Sequence, residues 1–331
     1  MHITILGGAG FLGRKVAARL AAEGTLGGHE VSSLTLFDLA APPPPEGGGF
    51  PVHSLAGDLA DLPPAAIPPG TDVVFHLAAV VSSAAEADYE LGRRVNVRGT
   101  DTVIDACGRL ASPPRVVFTS SVASFSGGQG AVLADDARQV PANSYGAQKA
   151  AAELFLADAS RRGMLDAVLI RLPTVIVRPG RPNKAASSFV SAILREPLLG
   201  LPATLPVPDD FAVWVCSPRR AVEWLLHAAA MDTAAMGLDR GVNPPGISAT
   251  VGQMLAALDS VRPGASALVE RRPDSAVAAI VGGWPAAFAP VRAGALGFAA
   301  HESTVLESLA ELVQAFIDDD LEDTRRERNA G

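Results

Sequence analysis

The stretch His2-Ile3-Thr4-Ile5-Leu6-Gly7-Gly8-Ala9-Gly10-Phe11-Leu12-Gly13 decides the fold. It reads as a short apolar strand, a glycine-rich turn and the start of an amphipathic helix. Gly7 permits the tight turn, Gly10 lets the backbone approach a pyrophosphate, and Gly13 lets helix and strand pack closely. The phosphates would lie at the N-terminus of the helix. The pattern therefore predicts a dinucleotide-binding unit at the start of the chain.

An acidic residue ends the next predicted strand. Leu34-Thr35-Leu36-Phe37 is followed by Asp38, with no arginine directly after it. A carboxylate at this position can accept both ribose hydroxyls of NAD, and it repels the 2′-phosphate of NADP. The sequence therefore predicts NAD as the cofactor. A turn or capping role for Asp38 is the alternative.

Tyr145 and Lys149 are four residues apart in Tyr-Gly-Ala-Gln-Lys, in a chain with only two tyrosines and three lysines. This spacing places both side chains on one face of a helix. An ammonium beside a phenol favours the phenolate and lowers a pKa that starts near ~10. The pair predicts a general acid and base for an alcohol or a ketone. An ordinary exposed helical pair is the alternative.

Further landmarks follow the same order as in a known family. They are Gly57-Asp58-Leu59, His76-Leu77-Ala78-Ala79, Asn96-Val97-Arg98-Gly99-Thr100, Val117-Phe118-Thr119-Ser120-Ser121 and Arg171-Leu172-Pro173-Thr174-Val175. With the glycine turn and the Tyr-Lys pair, they make nearly the whole chain resemble the extended short-chain dehydrogenase/reductase family, the NAD-dependent epimerase/dehydratase group. The resemblance implies a catalytic triad of Ser121, Tyr145 and Lys149. It also implies cofactor contacts at Gly7, Gly10, Phe11, Leu12, Gly13, Asp38, Asp58, Leu59, Leu77, Ala78, Ala79, Asn96, Thr119, Tyr145, Lys149, Pro173 and Val175.

Two stretches can face a substrate beside Ser121 and Tyr145. Ser82 and Ser83 offer hydroxyls to a polyol, although Ser83-Ala84-Ala85-Glu86 also spells a helix capping box. The loop from Arg178 to Phe189 contributes Arg178, Asn183, Lys184 and Ser187. Lys184 with a serine at a helix N-terminus could hold a carboxylate. A nucleotide-sugar diphosphate in this loop, or simple solvated charge, are the alternatives.

The order of the patterns predicts an α/β fold, a Rossmann-like doubly wound parallel sheet with a smaller irregular α/β substrate lobe toward the C-terminus. The NAD-binding domain is expected over residues 1–172, with returning segments near 208–245. The substrate lobe is expected over 173–207 and 246–318. Helical patterns cover 84–110 and 144–162, and relatives in this family use such helices to form a homodimer through a helix bundle. Burial of these helices within a single chain is the alternative.

Charged and capping residues mark the C-terminal end. Thr304 and Glu307 predict a capping box for a last helix. The charged tail, residues 319–331 with Asp318 before it, is expected to be disordered. Lys15 is interpreted as a solvated position on the first helix.

The composition excludes several classes of function. A net charge of −8 and the lack of a basic run with aromatic residues argue against nucleic-acid binding. Apolar runs are too short to cross a membrane, and no targeting segment is recognisable, so a cytoplasmic protein is expected. Two cysteines support neither a disulfide framework nor a zinc site, and no metal is expected.

The expected activity follows from departures within the family. Ser121-Val122-Ala123 lacks the acidic pair that dehydratases place there, while Arg178–Phe189 and Phe211–Arg220 resemble the subgroup that oxidises D-erythronate at carbon 2 with NAD. The expectation is therefore oxidation of a short sugar acid, D-erythronate, to its 2-dehydro form. A nucleotide-sugar 4-epimerase and a non-enzymatic NAD-binding sensor are the alternatives. An epimerase would release no NADH, and such sensors commonly lack the tyrosine or the lysine.

Overall fold

The computed structural model describes residues 1–128, 130, 132–180, 187–298 and 308–329. Its first half alternates strands and helices: β1 (His2–Leu6), α1 (Phe11–Glu23), β2 (Thr25–Leu26), β3 (His29–Glu30), β4 (Ser33–Asp38), β5 (Val52–Ala56), β6 (Thr71–His76), α2 (Ser82–Ala87), α3 (Tyr89–Arg93), α4 (Gly99–Gly108), β7 (Arg115–Ser121), β8 (Leu133–Ala134), α5 (Ser144–Arg161) and β9 (Asp166–Leu172).

The second half is less regular. Its elements are β10 (Thr174–Val175), α6 (Ser188–Leu198), β11 (Ala203–Leu205), β12 (Ala212–Cys216), α7 (Pro218–Ala230), β13 (Gly241–Val242), β14 (Ile247–Thr250), α8 (Val251–Val261), β15 (Val269–Arg271), α9 (Ser275–Val281), β16 (Phe288–Ala289), α10 (Val291–Ala295), α11 (Leu309–Asp319) and α12 (Leu321–Asn329).

Seven parallel strands form the main sheet in the order β13-β9-β7-β6-β1-β4-β5. The order changes direction at β1, which pairs with β4 on one side and β6 on the other. Ligands of such sheets bind outside the carboxyl ends of the strands at this point. The predicted Rossmann-like, doubly wound α/β fold is confirmed.

Apolar layers cover both faces of the main sheet. Ile3 and Ile5 of β1 face the layer that contains α1 and α7, and Leu6 faces the layer that contains α5. Successive strand side chains point to opposite faces, so a strand covered on both sides is apolar over most of its length. The two layers fix the plane of the sheet, and with it the edge where the strand ends meet.

A smaller lobe has its own apolar core. Val190 of α6, Leu255 of α8 and Phe316 of α11 belong to this core, which packs around a sheet of β10, β12 and β14 and a pair of β11 and β15. Although α7 and β13 come late in the chain, α7 packs on α1 and β13 forms one edge of the main sheet.

The chain is helical over most of the pattern at 84–110, but it does not form one continuous helix there. The pattern at 84–110 is divided among α2, α3, a π-helical stretch and α4. The capping box at Ser83 is absent, because Val81 precedes α2 and Glu86 accepts a hydrogen bond from the Ser144 backbone at 2.8 Å. The expected box at Thr304 and Glu307 lies outside the described residues.

The charged C-terminal segment is not disordered over the residues described. Leu321–Asn329 forms α12, in which Leu321 and Thr324 are buried. Lys15 is also not a freely solvated side chain, because its ammonium lies 2.7 Å from the Asp320 carboxylate that precedes α12. Local composition could not reveal either result, since both depend on contacts between opposite ends of the chain.

Candidate active site

The glycine turn between β1 and α1 has no room for side chains. Gly7 has a φ of +93°, and a Cβ there would lie 2.7 Å from the Ala78 backbone nitrogen. At Gly13 a Cβ would lie 2.1 Å from the Gly7 carbonyl oxygen. Such distances are incompatible with any larger residue. The turn is therefore held close against the end of β6, and it leaves backbone free to face a ligand at the start of α1.

Asp38 ends β4 beside this turn. One carboxylate oxygen accepts the Ala9 N–H at 3.0 Å, and the other accepts the Leu39 N–H at 2.7 Å. The next residue is Leu39, an apolar side chain that is 78% exposed. No cation therefore directly follows Asp38. Asp38 therefore presents a fixed negative charge on the wall of the adjoining cavity.

One cavity of about 550 Å³ joins most of the residues that the sequence singled out. Its described wall contains every predicted site residue except Asn96 and Ser83, with Asn183 and Lys184 outside the described part of the chain. Asn96 instead lies behind the wall, where its side chain bonds the Val80 backbone at 2.8 and 3.0 Å. It therefore shapes the loop after β6 without facing the cavity.

Asp58 and Leu59 form one end of the cavity. The Asp58 carboxylate accepts the Ala60 N–H at 2.9 Å and pairs with Arg94 at 2.6 Å. Leu59 is buried. The arrangement gives an apolar wall with a charge-paired rim.

Tyr145 and Ser121 meet at the other end of the cavity, where α5 begins above the end of β7. Burial raises the pKa of the Tyr145 phenol to about 12, and its hydrogen bond with Ser121 opposes the increase. The charge of Arg178 also lowers this pKa. Arg178 is therefore a second cation near the phenol, besides Lys149, and the sequence motif did not identify its effect on Tyr145.

Lys149 is fully enclosed one turn further along α5. Its ammonium donates to the Thr119 carbonyl at 2.7 Å and lies 4.4 Å from the centre of the Phe118 ring and 5.8 Å from that of Tyr145. Burial lowers the pKa of Lys149 to about 7, and the charge of Glu153 opposes that decrease. An ammonium of this pKa exchanges protons readily near neutrality.

Glu153 is a buried carboxylate that the sequence reading missed. Arg171 donates to it at 2.9 Å, Gln139 donates at 2.8 Å, and Ser120 donates through its hydroxyl. Glu153 follows Lys149 by four residues, so α5 carries Tyr145, Lys149 and Glu153 along one face. The four-residue repeat in the sequence was the signal that could have identified it.

Arg178 and Ser187 line the cavity beside Tyr145, and the Arg178 guanidinium donates to the Ser187 hydroxyl at 3.3 Å. Ser82 also contributes to the wall. Trp284, after α9, lines the same end, and no described residue accepts a hydrogen bond from its indole nitrogen. Because Trp284 reaches the site from a distant loop, no short sequence motif predicts its position there.

A Rossmann-like sheet whose glycine turn, terminal Asp38 and Tyr-x-x-x-Lys pair share one cavity defines the class of NAD-dependent oxidoreductases. Comparison with known proteins gives the family. Residues 3–214 match the NAD dependent epimerase/dehydratase family, and the chain belongs to it. NAD is its cofactor. The enclosed glycine turn and the carboxylate of Asp38 fit the pyrophosphate and ribose of this molecule.

The chain is similar to named relatives over almost its full length. It is 44% identical over 328 residues to D-erythronate dehydrogenase of Cupriavidus necator, covering 96% of this chain and 98% of the relative. It is 36% identical over 330 residues to D-erythronate dehydrogenase of Haemophilus influenzae, covering 97% and 100%. The solved structure of a nucleoside-diphosphate-sugar epimerase from Agrobacterium tumefaciens is 44% identical, with a TM-score of 0.89 and coverage of 97% and 95%.

No group of three or more His, Cys, Asp or Glu side chains could hold a metal ion in the part of the chain that is described. Within the same residues, no helix has the length and apolar character needed to cross a membrane.

Proposed function

We propose that this chain oxidises a short sugar acid at carbon 2, with D-erythronate as substrate and 2-dehydro-D-erythronate as product. Two relatives that match nearly the whole chain are named for this activity. The observation that carries the proposal is the position of Arg178 on the cavity wall, close enough for its charge to lower the pKa of Tyr145.

The position of Arg178 suits a 2-hydroxy acid. In such an acid the carboxylate is bonded directly to the carbon that bears the reacting hydroxyl. When the phenol meets that hydroxyl, the carboxylate must lie beside the phenol as well. A guanidinium binds a carboxylate with charge-assisted hydrogen bonds, and it keeps its charge when buried. A neutral sugar has no carboxylate with which to form such charge-assisted hydrogen bonds to Arg178.

Ser121, Tyr145 and Lys149 would move the proton. The phenolate oxygen of Tyr145 takes the hydroxyl proton, and the Ser121 hydroxyl holds the same substrate oxygen. Lys149 donates one N–H to Thr119, which leaves two N–H groups for ribose hydroxyls and for the phenol. When bound, NAD accepts the hydride from carbon 2, and its positive nicotinamide ring favours the phenolate.

The test is a screen of four- to six-carbon sugar acids with NAD, followed by the absorbance of NADH. D-erythronate should give the highest kcat/KM, and Tyr145→Phe should be the inactive control. If no sugar acid reduces NAD while the wild-type protein binds it, the proposed function is wrong.

A nucleotide-sugar epimerase is a second candidate, favoured by the similar structure from Agrobacterium tumefaciens, which is named as such an enzyme. An epimerase returns the hydride to its substrate, so it would interconvert UDP-sugars without net formation of NADH. Chromatography of UDP-glucose and UDP-galactose after incubation separates the two functions. A sensor protein would bind NAD and turn over neither class of substrate.

We also propose a cytoplasmic homodimer. Support for the dimer comes from α5, where Leu154 is 71% exposed and Phe155 is 47% exposed on the surface away from the cavity wall. Tyr89 of the neighbouring α3 is also exposed. Support for a reducing compartment comes from Cys107 and Cys216, which are both buried and unbonded to each other.

A further inference from the structure

The helix α12 contacts the loop that follows Arg178, although six of its nine residues are charged. Thr324 is fully buried and accepts a hydrogen bond from the Gly180 N–H at 3.3 Å. Arg328 donates to the Gly180 carbonyl at 3.4 Å. The residue before α12, Asp320, pairs with Lys15 of α1 at 2.7 Å. The helix therefore connects the first helix of the dinucleotide unit with the backbone two residues after Arg178.

A chain of buried charges leads from α12 to Arg178 itself. The guanidinium of Arg328 binds both carboxylate oxygens of Glu196, at 2.6 and 2.7 Å. Glu196 also accepts from Arg195 at 2.6 and 3.0 Å. Arg195, 1% exposed, then donates to the Arg178 carbonyl at 2.8 Å. Every link is a charge-assisted hydrogen bond, which is the stronger and more directional kind.

The Arg178 backbone is held at both of its polar groups. Its carbonyl accepts from Arg195, and its N–H donates to the Ser191 hydroxyl at 3.1 Å. Its side chain bonds Ser187 on the cavity wall. The Arg178 backbone is consequently fixed by α6 and, through Glu196, by α12, while Ser187 holds the guanidinium.

Among the four side chains of this hydrogen-bonded chain, cations outnumber anions. Arg178, Arg195 and Arg328 contribute three positive charges and Glu196 one negative charge. Burial lowers the pKa of Arg178 and of Arg195, and each is lowered further by a neighbouring arginine. Both remain charged, because arginine is not deprotonated in proteins. An anionic ligand would relieve this repulsion.

We propose that Arg328 is a positioning residue for substrate binding: through Glu196 and Arg195 it fixes the Arg178 backbone, so that α12 orients the guanidinium that meets the substrate carboxylate. This inference rests on the proposed function, which supplies a carboxylate as the partner of Arg178. It assigns a role in acid binding to a helix at the far end of the chain.

Arg328→Met in the full-length chain is the test. The substitution leaves Arg195 paired with Glu196, so no buried charge loses its only partner. With D-erythronate the KM for the acid should increase about tenfold, as expected for the weakening of one charged hydrogen bond. The change in kcat should be smaller, and the dissociation constant of NADH should be unchanged. Amide hydrogen exchange at Arg178 and Gly180 should be faster.

Arg326→Met is the matched control. This arginine lies on the same helix with its side chain 73% exposed, and its contacts with Glu322 and Asp323 are 3.7 and 3.8 Å long. It should leave all kinetic constants near those of the wild type. Arg328→Lys should give an intermediate KM, because an ammonium reaches Glu196 but cannot bind both of its oxygens.

Three results would overturn the inference. One is an unchanged KM for the acid in Arg328→Met, and another is an equal loss of acid and NADH binding, which would indicate general support of the fold. The third is unchanged amide exchange at Arg178 and Gly180. If the wild-type protein oxidises no sugar acid, the proposed function fails first and the role of Arg328 in acid binding fails with it.

Discussion

The Tyr145 phenol lies in surroundings that resist its ionisation. Burial raises its pKa to about 12, and Ser121 and Arg178 only partly offset this effect. Oxidation of an alcohol needs the phenolate, so each decrease in proton concentration should raise the reactive fraction. We therefore expect kcat/KM for acid oxidation to rise from pH 7 to pH 10. A profile that is flat or falls over this range would contradict the role of Tyr145 as the base.

Substitution of Tyr145 tests the same role by removing the oxygen. Tyr145→Phe keeps the ring and should lower kcat by about 10²- to 10⁴-fold, the usual contribution of a positioned acid or base. NADH binding, measured by fluorescence, should remain. A variant that keeps more than a tenth of wild-type turnover would remove Tyr145 from the mechanism.

Asp38 provides the second prediction at this scale. Its carboxylate is fixed by two backbone N–H groups, and the residue that follows it is an exposed leucine rather than a cation. Asp38→Asn keeps the shape of the side chain and one of its two acceptor oxygens, and it removes the charge that repels a 2′-phosphate. The ratio of kcat/KM for NAD to that for NADP should fall at least about tenfold, or ~1.4 kcal/mol. Comparable efficiency with both cofactors in the wild type would contradict the assignment.

The residues of the site were predictable to the extent that they belong to short motifs. Gly7, Asp38 and Tyr145 sit where the strand, turn and helix patterns place them, because each pattern is local. Glu153 was missed although it continues the four-residue spacing of Tyr145 and Lys149. Trp284 was missed because its position in the site depends on how a distant loop packs. The role of Lys149 in lowering the pKa of Tyr145 stays a prediction, and the effect of Arg178 on that pKa was not expected from the sequence.

Among the elements, α5 places an ammonium and a carboxylate inside the protein. Lys149 has a pKa of about 7 in the folded protein against 10.5 when exposed. Between these pH values the unfolded chain binds more protons than the folded one, so wild-type stability rises with pH across this window. Below pH 7 the full cost of burying the charge is present.

Lys149→Met should therefore stabilise the cofactor-free protein while abolishing activity. The increase in Tm should be largest at pH 6 and should shrink steadily by pH 9, because the lysine is then neutral in the folded state. Thermal unfolding of Tyr145→Phe serves as control, since a phenol of raised pKa stays protonated across the same range. An increase in Tm that does not depend on pH would show that Lys149 is not charged when buried.

Elements were predictable where a local pattern and its burial agree. β1, α1, β4 and α5 follow from apolar periodicity, glycine and capping signals. The helix α12 was not predicted, because its composition is that of a solvated segment. Its order depends on Thr324, on Arg328 and on the pairing of Lys15 with Asp320. The hydrogen bond between Lys15 and Asp320 joins residues 305 positions apart, so it cannot be predicted from local sequence.

At the scale of the whole molecule, α5 has an outer surface as informative as its inner one. The inner surface carries Tyr145, Lys149 and Glu153, while Leu154 and Phe155 expose large apolar side chains on the other side. Exposed apolar side chains that are grouped on one surface are typical of contacts with another protein. A second copy of the chain would cover them, as the family resemblance led us to expect.

Leu154→Glu combined with Phe155→Glu should convert the protein from a dimer to a monomer of 34.0 kDa, measured by analytical ultracentrifugation. Two carboxylates would have to be buried without partners if the interface re-formed, and that cost exceeds what an apolar contact supplies. Leu238→Glu is the matched control, because Leu238 is 74% exposed and lies far along the chain from α5. Its mass should equal that of the wild type. A wild-type protein that is already monomeric would contradict the proposed dimer. A double variant that remains dimeric would show that the two copies contact each other through other residues.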